Sequence, residues 1–299
     1  MKSTLIIAFL VSAIQVIPLN VHSQDLESML NATMEDEETI TPAIFRSSSI
    51  VNSHSVTMLP PGTLDFRIEH RFGEINKGVY ELFGLDNANI HFSFEYGFAD
   101  WLIAGVGRGT YEKTYDGFVR FKPLTQQSGA ETFPFSLAWQ SSVYVNTLRF
   151  LADLEGFSFS QRLEHVHQLM IARKFGDAVS VQLMPSYLRR TPVPALPEQT
   201  DLLAMGTGLS FRITNGFSLN VEYFHLLNND DAMGPVQVYN PLSVGFDLET
   251  GGHIFQLIFT NSVAMTEHGI IGNTTGNWLD GDIHFGFNIS RVFGLKQRK

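Results

Sequence analysis

The stretch Thr63–Gly73, "TLDFRIEHRFG", decides how the chain is read. Leu64, Phe66, Ile68, His70 and Phe72 share one parity, while Asp65, Arg67, Glu69 and Arg71 hold the other. Side chains of a strand alternate between two faces, so this segment has one oily face and one charged face. In a water-soluble sheet the oily face covers a core. In a membrane barrel it meets lipid, and the charged face turns inward.

The same alternation recurs along the chain. Ile90, Phe92, Phe94, Tyr96 and Phe98 oppose His91, Ser93 and Glu95, and Phe217, Leu219, Val221 and Tyr223 oppose Ser218, Asn220 and Glu222. Leu242, Val244, Phe246 and Leu248 oppose Ser243, Asp247 and Glu249, and Phe285, Phe287 and Ile289 oppose His284, Asn288 and Ser290. Many runs extend to roughly 9 to 13 residues, longer than ordinary strands and long enough to cross a bilayer at a tilt. The 25 phenylalanines fall mostly on the apolar parity, as a lipid-facing surface requires.

Connections alternate in length as well. "AD" at Ala99, "GD" at Gly176, "TNG" at Thr214 and "TGG" at Thr250 are tight turns. Longer polar loops lie near 73–88, 147–161, 191–200, 226–240 and 263–281. The pattern predicts a transmembrane antiparallel β-barrel of about 12 strands, with short periplasmic turns and longer extracellular loops. One interval departs from it: "YEKTYD" is short where a long loop belongs, and "KPLTQQSGAE" is long where a tight turn belongs.

Residues 1–23 read as a secretory signal peptide, with Lys2, the apolar run Leu5–Val11 and small residues before Gln24. Residues 24–62 form an acidic periplasmic arm, 63–293 the barrel and 294–299 a short tail. The formal charge of −10 is concentrated: Asp25, Glu27, Glu35, Asp36, Glu37 and Glu38 lie together with no Lys or Arg between them. Nothing in this balance suggests nucleic acid as a partner. The expected surroundings are outer-membrane lipid, with the acidic arm available to a periplasmic partner. No feature of the sequence fixes the oligomeric state. Within the arm, Ser47–Leu59 reads either as an extra strand or as a segment folded into the lumen, with Pro60-Pro61-Gly62 making a turn after it.

Several blocks, "SSIVNSHSVTMLPPGTLDFRIEHRFG", "GRGTYEKTYDGFVRFK", "HQLMIARKFGDAVSVQLMPSY", "NPLSVGFDLETGGHIFQLIFTNS" and "GDIHFGFNISRVF", resemble a Bacteroidota family of predicted outer-membrane β-barrels of unknown function. The resemblance runs from Ala43 to Phe293. It implies an exported barrel in a Gram-negative outer membrane and brings no activity, substrate or cofactor.

If the oily parity faces lipid, the expected lumen-lining residues are Arg67, Glu69, Arg71, Glu95, Arg120, Lys122, Arg162, Glu164, Glu222, Asp247, Glu249, Asp282 and His284. Such a set either lines a polar path or pairs into a salt-bridged filling. His165 and His167 share a strand face, but no third metal ligand can be assigned. "GVGRG" at Gly105–Gly109 lies between strands rather than before a helix, so close packing accounts for its glycines better than phosphate binding does. With no cysteine and no G-x-S-x-G pattern, neither an enzyme nor a cofactor is expected. The leading expectation is a channel for small polar solutes. The alternative is a non-conducting barrel that serves as a scaffold for a partner, and an outer-membrane enzyme ranks third.

Overall fold

The computed structural model describes residues 39–41, 43–129, 132–149, 158–190, 200–228 and 237–295. The expected signal peptide and the acidic run Asp25–Glu38 lie outside the described residues. Strand β1 is Thr39–Ile40, followed by β2 (Thr63–Glu74), β3 (Ala88–Ala99), β4 (Leu102–Gly109) and β5 (Tyr115–Leu124). Then come β6 (Gln127–Ser128), β7 (Ser136–Val145), β8 (Leu163–Phe175), β9 (Val179–Arg190) and β10 (Asp201–Arg212). The last four are β11 (Phe217–Leu226), β12 (Leu242–Thr250), β13 (His253–Thr260) and β14 (His284–Gly294).

Twelve of these, β2 to β5 and β7 to β14, form one closed antiparallel barrel, while β1 and β6 pair separately. Each barrel strand pairs with its neighbours in sequence, and β14 closes the ring on β2 with Ile289 opposite Ile68. Closure leaves no unpaired strand edge, which a structure surrounded by lipid requires.

The alternation of "TLDFRIEHRFG" resolves as lipid outside. Asp65, Arg67, Glu69 and Arg71 are buried in the lumen. On the outer face Phe66 stacks on Phe94 at 4.9 Å, His70 on Phe287 at 5.0 Å and Phe72 on Phe285 at 5.7 Å. The glycines of "GVGRG" point inward. A Cβ at Gly105 would meet the Phe118 ring, and one at Gly107 would meet Asp116 and His91, so their absence makes room for those side chains.

The irregular interval has a structural reason. On the short-turn rim, the long β5–β7 connection carries β6, which pairs with β1 in the register Thr39–Ser128 and Ile40–Gln127. The Thr41 amide also donates to the Gln126 carbonyl at 2.9 Å. This loop therefore holds the N-terminal arm where the chain enters the barrel. Beyond it, residues 44–59 run inside the lumen rather than forming a strand of the wall. They turn in a narrow loop, with Ile50 N donating to Ser53 O at 2.9 Å and Ser55 N to Ser48 O at 2.8 Å.

At the long-loop rim, the β13–β14 connection carries α1 (Glu267–Asn273), whose residues Glu267 to Gly272 are all buried. Plug and helix share one apolar core with the wall. Ile44, Phe45, Ile50, Val51 and Val56 of the plug and Ile270 and Ile271 of α1 pack with Met170, Met184, Leu188, Leu202 and Phe224.

Candidate functional site in the lumen

The inward parity of the strands builds two unlike halves. β2, β3 and β5 contribute Asp65, Arg67, Glu69, Arg71, His91, Glu95 and Arg120, all buried. β8 to β11 contribute Val166, Met170, Met184, Leu188, Leu202 and Phe224, also buried. The plug matches both halves. Its apolar side chains pack with those of the second, and its backbone and side-chain polar groups meet Arg67, Arg71 and Arg120 of the first as well as Gln182 and Glu222 of the second.

Buried charges need partners, because an ion taken from water without one is strongly disfavoured. Here the plug supplies many of them. Arg67 donates to Ser48 Oγ at 3.0 Å and to Ser49 Oγ, and it also reaches Asp65 at 3.3 Å. Arg71 donates to Asn52 Oδ1 at 2.7 Å and to Asn288 Oδ1 at 2.8 Å. Arg120 donates to the Thr57 carbonyl at 3.2 Å, with its Nε on Gln140 Oε1 at 2.9 Å. Glu222 Oε2 gathers the amides of Val51, Asn52 and Ser53 at 3.3, 3.3 and 3.0 Å, and the Ser53 hydroxyl at 2.7 Å. A carboxylate facing successive backbone amides is the mirror of an anion-binding nest.

The other charged residues pair within the wall or at its rims. Glu69 accepts from His91 Nδ1 at 2.7 Å, and Asp116 faces His91 Nε2 at 2.8 Å. Asp247 accepts from Gln256 at 2.6 Å. His284 Nδ1 lies 2.8 Å from the Phe72 carbonyl, which it meets as a donor. Glu249 stands at the short-turn rim and binds Arg46 at 2.8 Å, while Lys122 lines a recess at the same rim. Glu164 approaches Arg190 at 3.8 Å.

Two of the thirteen residues lie off the barrel strands. Arg162 ends a short 3-10 helix, Phe159–Arg162, and donates to the carbonyls of Asn146 and Leu148, both at 3.0 Å. Asp282 sits in the loop before β14, where Asn76 donates to it at 2.6 Å. His165 and His167 are on the outer parity of β8, opposite in sense to buried Val166 and Gln168. Among the described residues no cluster of His, Asp and Glu is arranged to hold a metal.

Two residues outside the expected set prove central. His54, on the plug, places Nδ1 2.5 Å from Glu267 Oε1 on α1 and Nε2 3.5 Å from Glu95 on β3. Tyr144 donates to the other Glu267 oxygen at 2.8 Å and stacks on His268 with ring centroids 4.2 Å apart. What space remains among these groups is small. The cavity bounded by His54, Glu69, Glu95, Asp116 and Glu267 holds about 20 Å³, room for roughly one water. A larger recess of about 520 Å³ lies at the short-turn rim, between the plug root at Met58–Pro61 and the wall.

No curated protein matches the chain. Among solved structures it is similar to the NanC porin (8% identity over 78% of this chain and 100% of that one, TM-score 0.46). It is also similar to the KdgM porin (11% identity over 77% and 99%, TM-score 0.43). A third is the outer membrane phospholipase A of Escherichia coli (12% identity over 84% and 98%, TM-score 0.44). A closed antiparallel ring with an apolar outer belt is the spanning architecture of the outer membrane, and that is where this barrel resides. Residues 45–293 match the family described as a membrane bound beta barrel domain (DUF5777), and the chain belongs to that family.

Proposed function

We propose that the protein is a gated passage for small polar solutes, closed at rest by residues 44–59. The observation that carries this reading is the filled lumen: plug, α1 and wall share one core, and the cavity where plug and α1 meet holds about 20 Å³. No hydrated solute passes such a gap. A gate is favoured over a permanent filling by the way the plug is bound. Its contacts with Arg67, Arg71, Arg120 and Glu222 are hydrogen bonds with charged groups, three donating and Glu222 accepting, that water would satisfy once the plug left.

Single-channel recording in a planar bilayer tests this. The intact chain is expected to stay largely silent, and removal of residues 24–59 is expected to produce discrete conductance steps. Silence in both, with the truncated barrel still inserted, would overturn the passage. It would favour the second reading, a non-conducting scaffold whose arm, held by β6 at the short-turn rim, meets a periplasmic partner.

A further inference from the structure

The plug enters from the short-turn rim and α1 from the long-loop rim, and they meet at one point. Among the described residues, every polar contact between them joins His54 to Glu267: the His54 amide at 3.3 Å and its Nδ1 at 2.5 Å. We propose that His54 is a proton-operated latch, which binds the plug to the loop helix while its imidazole is protonated and releases them when it is not. This rests on the closed-barrel reading above.

The geometry asks for two donors from one ring. Nδ1 faces Glu267 and Nε2 faces Glu95, and an imidazole can donate from both nitrogens only as the cation. Around it stand Arg120 on β5, Gln140 Nε2 of β7, which lies 2.9 Å from Nδ1 and donates to Ser142 Oγ at 3.1 Å, and the Phe118 ring 4.4 Å away by centroids. Arg67 and Glu69 on β2, His91 on β3, Asp116 on β5 and Tyr144 on β7 line the same small cavity. A neutral ring would withdraw its N–H from one of the two carboxylates in a site with almost no water, which is unfavourable.

Burial opposes the charge on His54 and Arg120 adds to that, but Glu267 with Glu95 outweighs both and holds the pKa above its ordinary 6.5. Burial also acts against the Glu267 carboxylate, yet His54 and Tyr144 more than offset it, so Glu267 stays ionised through the neutral range. A raised histidine pKa gives a contribution that is complete below the unfolded value and lost as pH rises through the folded one. Release therefore lies on the alkaline side.

The full chain contains no cysteine, so Ser55→Cys, at a fully buried plug position, reports whether the plug is in place. Its rate of modification by a neutral methanethiosulfonate in lipid vesicles is divided by that of Asp86→Cys, an exposed loop position, which cancels the chemistry of the thiol itself. The ratio is expected to be low at pH 6 and to rise on the order of tenfold by pH 9, as the imidazole loses its proton. In a His54→Gln background it should be raised and flat.

A ratio that stays low at every pH in both backgrounds would overturn the latch and leave the closed barrel standing. A ratio already high at pH 6 in the parent would instead overturn the closed barrel. Should His54→Gln fail to fold, judged by heat-modifiable gel migration, Glu267→Gln serves. It should move the midpoint to lower pH, and an unmoved midpoint overturns the latch.

Discussion

The Cδ1 atom of Ile50, on the plug, occupies the space that a side chain at Gly208 on β10 would need. Val51 stands in a similar relation to Gly245 on β12, where an added Cβ would come within 3.2 Å of Val51 Cγ2. The wall is thus moulded to the plug, with a glycine opposite each of two consecutive plug side chains.

Filling such a socket should push the plug away without breaking the wall. Overpacking of this kind is disfavoured by about 1–3 kcal/mol. Gly208→Val is therefore expected to raise the labelling of Ser55→Cys at pH 7, with the barrel still inserted. Gly117→Ala is the control, because its nearest neighbour would lie at 3.6 Å, an ordinary contact. Equal labelling in the two variants would show that the socket does not hold the plug.

Glu222 is the second anchor, since four donors of residues 51–53 converge on a single oxygen. Glu222→Ala leaves these donors without an acceptor, and hydrogen bonds to a charged group contribute about 1.5–3 kcal/mol each to stability. The amides of residues 51–53 should exchange with solvent markedly faster in Glu222→Ala while those of β8 and β9 keep their protection. Unchanged exchange at residues 51–53 would refute the anchor.

Arg46 marks the point where the plug enters. It donates to Ser218 Oγ at 2.6 Å, to the carbonyls of Thr214 and Asn215, both at 2.7 Å, and to Glu249 at 2.8 Å. The Glu249 side chain is half exposed, so this ion pair alone contributes at most about 1 kcal/mol. Glu249→Ala should consequently leave plug retention nearly intact, whereas Arg46→Ala should loosen it clearly. Arg46→Lys should resemble Arg46→Ala, because one ammonium cannot replace the planar fork of the guanidinium. The Ser55→Cys labelling rates of the three variants give the ranking.

How far the sequence carries can be seen strand by strand. β2 and β14 alternate cleanly because their inner faces are polar, and from them the closed barrel follows. β10 does not: Leu202 and Ala204 face inward while Leu203 and Met205 face out. A strand with lipid on one side and a packed core on the other is apolar on both, and this double apolarity is the readable sign of a filled lumen. His54 and Glu267 left no comparable sign. They are 213 residues apart in segments without strand periodicity, and only the closed ring brings them together. Arg162 and Asp282 have charges and spacings like those of wall residues, but each falls just before a strand begins, where alternation stops reporting a face.

The outer belt allows a test that is independent of the plug. Ile68 sits halfway along β2 on the lipid face, opposite Ile289 of β14 and Phe92 of β3. Leu64 is on the same face but next to the short-turn rim, opposite Phe293 and Tyr96. An arginine on the lipid face of a barrel is destabilising by about 2–4 kcal/mol at the bilayer midplane and by about 0–1 kcal/mol near the interface. Ile68→Arg should therefore lower the unfolding free energy in vesicles by several times the amount that Leu64→Arg does. Chemical denaturation followed by tryptophan emission measures both, using Trp101, Trp139 and Trp278 as probes. Equal losses at the two positions would mean that the membrane does not lie where the aromatic ladder of β2, β3 and β14 puts it.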